Sequence, residues 1–312
     1  MFKVGIVGCG GIGMAHARSW SAIPGVKIAG VADLDAEKAK AAADFCKCPF
    51  FTDMMNLPGD LDAVSVVTPP GVHYPVVKAM LKRGFHVFCE KPLTMDVRQG
   101  EELDRLAAET GKVLAVGFKM RYEPIFTEAK KYLPEVGTPR SIVTTKLQKF
   151  NTRPGGEWVT RVGAMYELSI HDFDLLSFLT GLFPERVISA RLAHRRGWDR
   201  EDAFSAMVEY GDGVTAMLQG MYCDEATFCF RDLTITLLGE NGYMRIERPD
   251  RIVLHTREFR VVEVPAAAKS AFVLELEHFR NAAEGKCEND LKAADAVRMT
   301  KLIEEIRSFD RR

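Results

Sequence analysis

The first thirteen residues, Met1-Phe-Lys-Val-Gly-Ile-Val-Gly-Cys-Gly-Gly-Ile-Gly13, restrict the fold more than any other stretch of the chain. Val4, Ile6 and Val7 make a short apolar run that reads as a buried strand. It breaks into Gly8, Gly10 and Gly13, spaced G-x-G-x-x-G, where a helix over Met14 to Ser21 is expected to begin. Such a turn suits a pyrophosphate. Gly8 permits the tight turn, Gly10 lets the backbone approach the phosphates, and Gly13 lets the helix pack closely on its strand. The N-terminus of that helix offers unpaired N–H groups and a partial positive charge to an anion. A second apolar run, Val26 to Ala32, ends in Asp33, which lies 20 residues beyond Gly13 where a ribose-binding carboxylate belongs. Asp33 is also placed to cap the helix that follows from Leu34, since aspartate is a good N-cap, and the two roles are compatible.

The alternation continues. Leu61 to Thr68, Phe85 to Cys89 and Lys112 to Phe118 read as further strands, separated by helices over Tyr74 to Arg83 and Val97 to Thr110. Nearly continuous Val, Ile, Leu and Ala in each strand predict a parallel sheet covered on both faces, an N-terminal Rossmann domain over residues 1–120. Ligands of such sheets bind beyond the carboxyl ends of the strands. The segments Gly8 to Gly13, Asp33, Thr68 to His73, Glu90 to Pro92 and Gly117 to Tyr122 all follow strand ends and are expected to line one crevice.

From about Pro139 the pattern becomes alternating strands, with hairpin turns at Gly211-Asp-Gly213 and Glu240-Asn-Gly242. This predicts a second, α+β domain over residues 121–312 with an open, mostly antiparallel sheet. One helix, Ala164 to Leu179, interrupts it, and a terminal amphipathic helix over 291–309 is a candidate to pack back on the first domain. Residues such as Val214, Ala216, Leu218, Phe204, Ala206 and Val208 suggest apolar groups on more than one face of the sheet. A homodimer or homotetramer associating through it is therefore expected.

Composition removes other function classes. With 47% hydrophobic and 27% charged residues and a net charge of −1, the 312-residue chain has material for two cores but no basic face for nucleic acid. No apolar stretch is long enough for a bilayer and the N-terminus lacks a signal-peptide pattern, so a cytoplasmic protein is expected. Seven scattered cysteines argue for reduced thiols. Cys46-Lys-Cys48 is too short for a metal knuckle, and no metal site is expected.

Chemistry is carried by two segments. Lys91, fixed by Pro92 just past a strand end, is either a solvated surface lysine or, in a cofactor crevice, a group that hydrogen-bonds the oxygen of a reacting alcohol. On a helix, Glu167, His171 and Asp174 would share one face, which is either turned to a site or exposed to solvent. Histidine exchanges protons near neutral pH, and a neighbouring carboxylate would orient it.

Taken together, Gly8-Cys-Gly-Gly-Ile-Gly13, Thr68-Pro-Pro-Gly-Val-His73, Cys89-Glu-Lys-Pro-Leu93, Val116-Gly-Phe-Lys-Met-Arg-Tyr122 and Ser169-Ile-His-Asp-Phe-Asp-Leu175 resemble the glucose-fructose oxidoreductase, inositol 2-dehydrogenase and rhizopine catabolism (Gfo/Idh/MocA) family. The resemblance covers nearly the whole chain and implies a nicotinamide cofactor, a catalytic Lys91 and an acid/base His171. It also implies a sugar, cyclitol or related polyol as substrate. NAD is expected over NADP, because Asp33 would repel a 2′-phosphate and neither Leu34 nor Asp35 could receive one. The expected cofactor contacts are Gly8, Gly10, Gly11, Ile12, Gly13, Asp33, Thr68, Pro69, His73, Glu90 and Lys91. Glu167 is assigned with Lys91 and His171 to catalysis. Substrate contacts are expected from Arg121, Tyr122, Asp174 and the Asn151 to Arg161 loop with Trp158. Two departures from the family pattern stand out, Glu167 where an aspartate is common and Pro70 where many members have asparagine. A dinucleotide-binding regulator without catalysis, and a dehydrogenase of a dihydrodiol or other ring substrate, are the alternatives.

Overall fold

The computed structural model describes residues 1–150, 158–224 and 232–310. The chain divides into two compact units, Met1–Lys119 with Lys269–Val297, and Met120–Ala268 with Arg298–Arg312.

The first unit opens with β1 (Phe2–Val7), α1 (Gly11–Ser21), β2 (Val26–Ala32), α2 (Ala36–Cys46), the two-residue β3 (Phe50–Phe51) and β4 (Ala63–Val66). It continues with α3 (His73–Lys82), β5 (His86–Glu90), α4 (Val97–Thr110) and β6 (Leu114–Gly117). The strands form one parallel sheet in the order β3-β2-β1-β4-β5-β6, the doubly wound arrangement with its reversal between β1 and β4. Every residue of β4 and β6 is buried, which is why these strands read as continuous apolar runs. The first helix begins at Gly11, three residues before the expected Met14, so Gly13 is already helical.

The second unit contains α5 (Pro124–Val136), β7 (Pro139–Lys149), α6 (Trp158–Ala164), α7 (Ile170–Thr180), β8 (Pro184–Ala193), β9 (Ala203–Tyr210) and β10 (Val214–Cys223). Then come β11 (Asp232–Gly239), β12 (Gly242–Glu247), β13 (Arg251–His255) and β14 (Phe259–Glu263). The sheet order is β14-β13-β12-β11-β7-β10-β9-β8, antiparallel except where β10 runs parallel to β7. The expected apolar groups on two faces resolve differently. Phe204, Ala206 and Val208 lie opposite Gly220, Leu218 and Ala216, so all belong to one buried face, against which Phe173 of α7 packs edge-on to Phe204 at 5.8 Å. The other face carries Met207, Met217 and Val143 in one cross-strand row, with Met217 42% exposed.

Besides α6, which takes up the end of the expected Asn151 to Arg161 loop, two helices were not anticipated. One is α5, with proline at its first turn and Gly137 at its end. The other is α8 (Ala271–Ala283), capped by the Ser270 side chain. With the segment leading into α9 (Ala293–Phe309), α8 belongs to the first unit rather than to the second domain drawn from sequence. Phe279 of α8 packs edge-on to Trp20 at 6.2 Å and to Phe88 at 5.6 Å. The backbone N–H of Val116 donates to the Leu291 carbonyl at 3.0 Å. The division between units falls within α9, after Val297. Among the described residues no helix is long and apolar enough to cross a membrane.

Candidate active site

In the first unit the expected cofactor segments lie at the carboxyl ends of β1, β2, β4 and β5. Gly8 has φ +100°, and a Cβ there would sit 2.7 Å from the Val67 backbone; a Cβ on Gly13 would sit 2.1 Å from the Gly8 carbonyl oxygen. Both positions therefore exclude a side chain. At Gly10 and Gly11 a Cβ would meet no atom within 4 Å, so the approach to the start of α1 is open. No side chain caps that helix, and its first N–H groups face this open ground, which is the cradle a pyrophosphate requires. Ile12 is 48% exposed beside it.

Asp33 braces the turn. Its carboxylate accepts the Cys9 backbone N–H at 2.7 Å and the Asp35 N–H at 2.9 Å, keeping further lone pairs for ribose hydroxyls. It does not cap α2, because the Asp35 side chain does so by accepting from the Glu37 and Lys38 N–H groups. Cys9 is buried, and burial together with the Asp33 charge pushes its thiol up to about 12, so it is no nucleophile at neutral pH.

Pro69 is exposed, whereas the Thr68 hydroxyl is buried and has no hydrogen-bond partner among the described residues. An orphaned donor on this loop fits a contact with a dinucleotide. His73 has a different place from the one expected. It is fully buried, with Nδ1 2.7 Å from the Pro92 carbonyl and Nε2 2.7 Å from the Thr68 carbonyl. It ties the loop after β4 to the loop after β5, and burial lowers its proton affinity although both carbonyls oppose the change. Glu90, at the end of β5, accepts the Lys91 backbone N–H at 3.2 Å and lies 3.1 Å from His16 Nε2. Lys91 is half-buried.

In the second unit the expected single helix from Ala164 to Leu179 is broken into a π turn and α7, with α6 before them. Gly163, at φ 86° and ψ 171°, breaks α6; Met165–Ser169 forms a wide π turn, and α7 follows. The seven residues Ile170 to Leu176 are all buried, so α7 has no solvent-facing side and the exposed-face alternative is excluded for His171 and Asp174. Glu167 lies in the π turn and is half-buried. Arg121, in the short turn Lys119–Tyr122, grips Asp174 through two hydrogen bonds, Nε to Oδ2 at 2.9 Å and a second from its other arm. These two expected substrate contacts thus form a buried, bidentate pair with each other. Tyr122 and Trp158 are half-buried, and residues 151–157 of the expected substrate loop lie outside the described residues.

Sequence inspection missed two buried polar links beside His171. Lys146 of β7 donates to Asp172 at 2.6 Å, both side chains being 1% exposed. Glu201, 1% exposed, accepts the Met165 N–H at 3.1 Å and the Arg307 guanidinium of α9, tying down the start of the π turn. A lysine in a strand read as amphipathic gives no local sign of burial; only the partner Asp172 discloses it. Lys91 belongs to the first unit and His171 to the second.

Comparison with known proteins agrees with this arrangement. Residues 2–118 match the model of an oxidoreductase family with an NAD-binding Rossmann fold, and residues 128–245 match the Gfo/Idh/MocA C-terminal domain. The chain belongs to the Gfo/Idh/MocA oxidoreductase family. UDP-N-acetylglucosamine 3-dehydrogenase of Acidithiobacillus ferrooxidans is 33% identical over 218 residues, 69% of this chain and 66% of that protein. Its solved structure superposes with a TM-score of 0.87 at 26% identity, covering 98% of this chain and 97% of the other. Inositol 2-dehydrogenase of Rhizobium meliloti is 28% identical over 262 residues, 81% of this chain and 78% of that protein. As a Gfo/Idh/MocA protein the chain is an NAD-binding dehydrogenase, and the cradle before α1 and the orphaned Thr68 hydroxyl are the features that fit the cofactor.

Proposed function

We propose that this Gfo/Idh/MocA dehydrogenase oxidises a secondary hydroxyl of a sugar or inositol-like polyol, or reduces the corresponding ketone. The observation that carries the proposal is the Glu90-Lys91-Pro92 segment, held at the end of β5 by His73 and by the Glu90 carboxylate on the same sheet as the phosphate turn. Relatives named for UDP-N-acetylglucosamine and for inositol support a ring polyol as the substrate class.

NAD, when bound, supplies the hydride acceptor. The phosphate turn and Asp33 hold the dinucleotide, the first through the N–H groups at the start of α1 and the second through ribose hydroxyls. Lys91 hydrogen-bonds the substrate oxygen and favours loss of its proton. His171 accepts that proton as the C–H bond gives up its electron pair, and returns it in the reverse reaction. Glu167 orients the His171 ring. Tyr122 and Trp158 contact the substrate, and Arg121 and Asp174 hold each other. In the assembled enzyme we place two or four copies of this chain.

The test is NAD reduction by the purified protein over a panel of sugars, sugar nucleotides and cyclitols. At least one member should be turned over. Lys91→Ala should then lower kcat by about 10²- to 10⁴-fold, the usual worth of a positioned proton-transfer group, while NAD affinity is retained. Full turnover in Lys91→Ala would reduce Lys91 to a surface lysine, and a panel without any turnover would rule out the polyol class.

A further inference from the structure

Behind Lys91, in the first unit, Glu90 clusters with two buried polar groups that have no assigned role. His16 on α1, Glu90 at the end of β5 and Glu275 on α8 bring one nitrogen or oxygen each to within 4.8 Å of one another. His16 and Glu275 are both 0% exposed, and the Glu90 side chain is 14% exposed. Two carboxylates cannot both be ionised at this spacing in a buried place without a large cost.

The hydrogen bonds decide which one carries the charge. Trp20 Nε1 can only donate, and it donates to the Ser65 hydroxyl at 2.8 Å. The Ser65 hydrogen is then free to go to His16 Nδ1 at 3.4 Å, the arrangement that turns Nε2–H toward Glu90 at 3.1 Å. The second Glu90 oxygen accepts the Lys91 N–H. Glu90 is therefore held from two sides as an acceptor, and Gly117 on the neighbouring strand leaves room for it, since a Cβ there would lie 3.1 Å from the carboxylate. Glu275 has the opposite surroundings: neither of its oxygens has a hydrogen-bond partner among the described residues.

We propose that Glu275 is a positioning residue for the reaction, carrying the proton that Glu90 lacks and presenting it to Glu90, so that a single fixed anion stands behind Lys91. The proposal rests on the role given to Lys91 above. The groups facing Glu275 are Glu90, whose negative charge favours a neutral Glu275, Lys119, which opposes it, and His16, whose Nε2–H is turned to Glu90. Burial is the largest influence, and the balance raises Glu275 well above the ordinary carboxylate range. For Glu90, burial works against the charge, but the His16 hydrogen bond with the Lys91 and Lys119 charges prevails and holds it below that range. Glu275 thereby joins α8 to the loop that carries Lys91.

Three measurements on the 312-residue protein test this. The infrared spectrum at neutral pH should contain the C=O stretch of a buried, protonated carboxyl that Glu275→Gln removes. Glu275 stays protonated in the folded state while its unfolded counterpart ionises near the ordinary 4.5, so folding stability should fall as pH rises above that value. The Tm of Glu275→Gln relative to the native protein should therefore climb with pH over the same window. Finally, an amide can donate to Glu90 as the neutral acid does, whereas a leucine of similar size cannot. With NAD saturating, Glu275→Gln should keep kcat about tenfold or more above Glu275→Leu, with NAD affinity alike in both. Absence of the carboxyl band, or a flat Tm difference, overturns the neutral acid and does so even where Glu275→Leu does not fold. Equal kcat in the two variants overturns the positioning role alone. Unchanged turnover in Lys91→Ala with the band present would instead defeat the reading of Lys91, and the positioning role with it.

Discussion

Asp33 shows how one side chain serves structure and selectivity together. Its carboxylate holds the glycine turn through the Cys9 N–H, so the acid proposed to discriminate the ribose also shapes the phosphate site. A 2′-phosphate placed there would meet that negative charge, and Leu34, 93% exposed, offers no compensating cation. The expected result is a kcat/KM for NAD at least tenfold above that for NADP, narrowing in Asp33→Ser. A native preference for NADP would contradict the role given to Asp33. Arg121 and Asp174 teach the converse. As isolated residues they look like ligands for hydroxyl groups, yet each is the other's partner, and a buried bidentate pair is costly to break from either side.

At the scale of elements, the decisive feature is the junction between α6 and α7. A single long helix would place Gly163 in its interior, but the chain adopts a backbone conformation there that is nearly confined to glycine. A Cβ on Gly163 would also approach Glu201 Oε1 to 2.5 Å, the oxygen that accepts from Met165 and Arg307. Gly163→Ala should destabilise the protein by about 2–4 kcal/mol, from backbone strain plus disturbance of a buried ion pair. Calorimetry should show a lower Tm, and kcat should fall because His171 follows from this junction. A variant with native Tm would show that the break is not required.

For the whole molecule, the face of the eight-stranded sheet that carries Met217 is the surface proposed for association. Met207, Met217, Val143 and Val253 lie on it in one cross-strand row with Thr236 and Arg245. Such a surface is more apolar than a solvated sheet face needs to be. Light scattering at micromolar concentration is expected to give at least twice the 34.8 kDa of one chain, and Met217→Asp should shift the distribution toward that single-chain mass. A native monomer would withdraw the proposed assembly.

What the sequence determined by itself was whatever local chemistry enforces. Glycine spacing, continuous apolar strands and Asp-Gly or Asn-Gly turns act over a few residues, so the phosphate turn, the parallel sheet and the hairpins of the second sheet were legible directly. Helices α5 and α8 left signals too, Pro124 with Gly137 for one and Ser270 before Val273, Leu276 and Phe279 for the other, but these competed with the surrounding strand pattern. Tertiary structure alone decided that α8 completes the first unit and that Glu275 meets Glu90. It also decided that His73 is a brace, that α7 is buried on all sides and that Arg121 is committed to Asp174. Each of these depends on which distant side chains share a dry interior. There an unpaired charge is expensive and a paired one is fixed, whereas periodicity along a chain reports only which face is apolar.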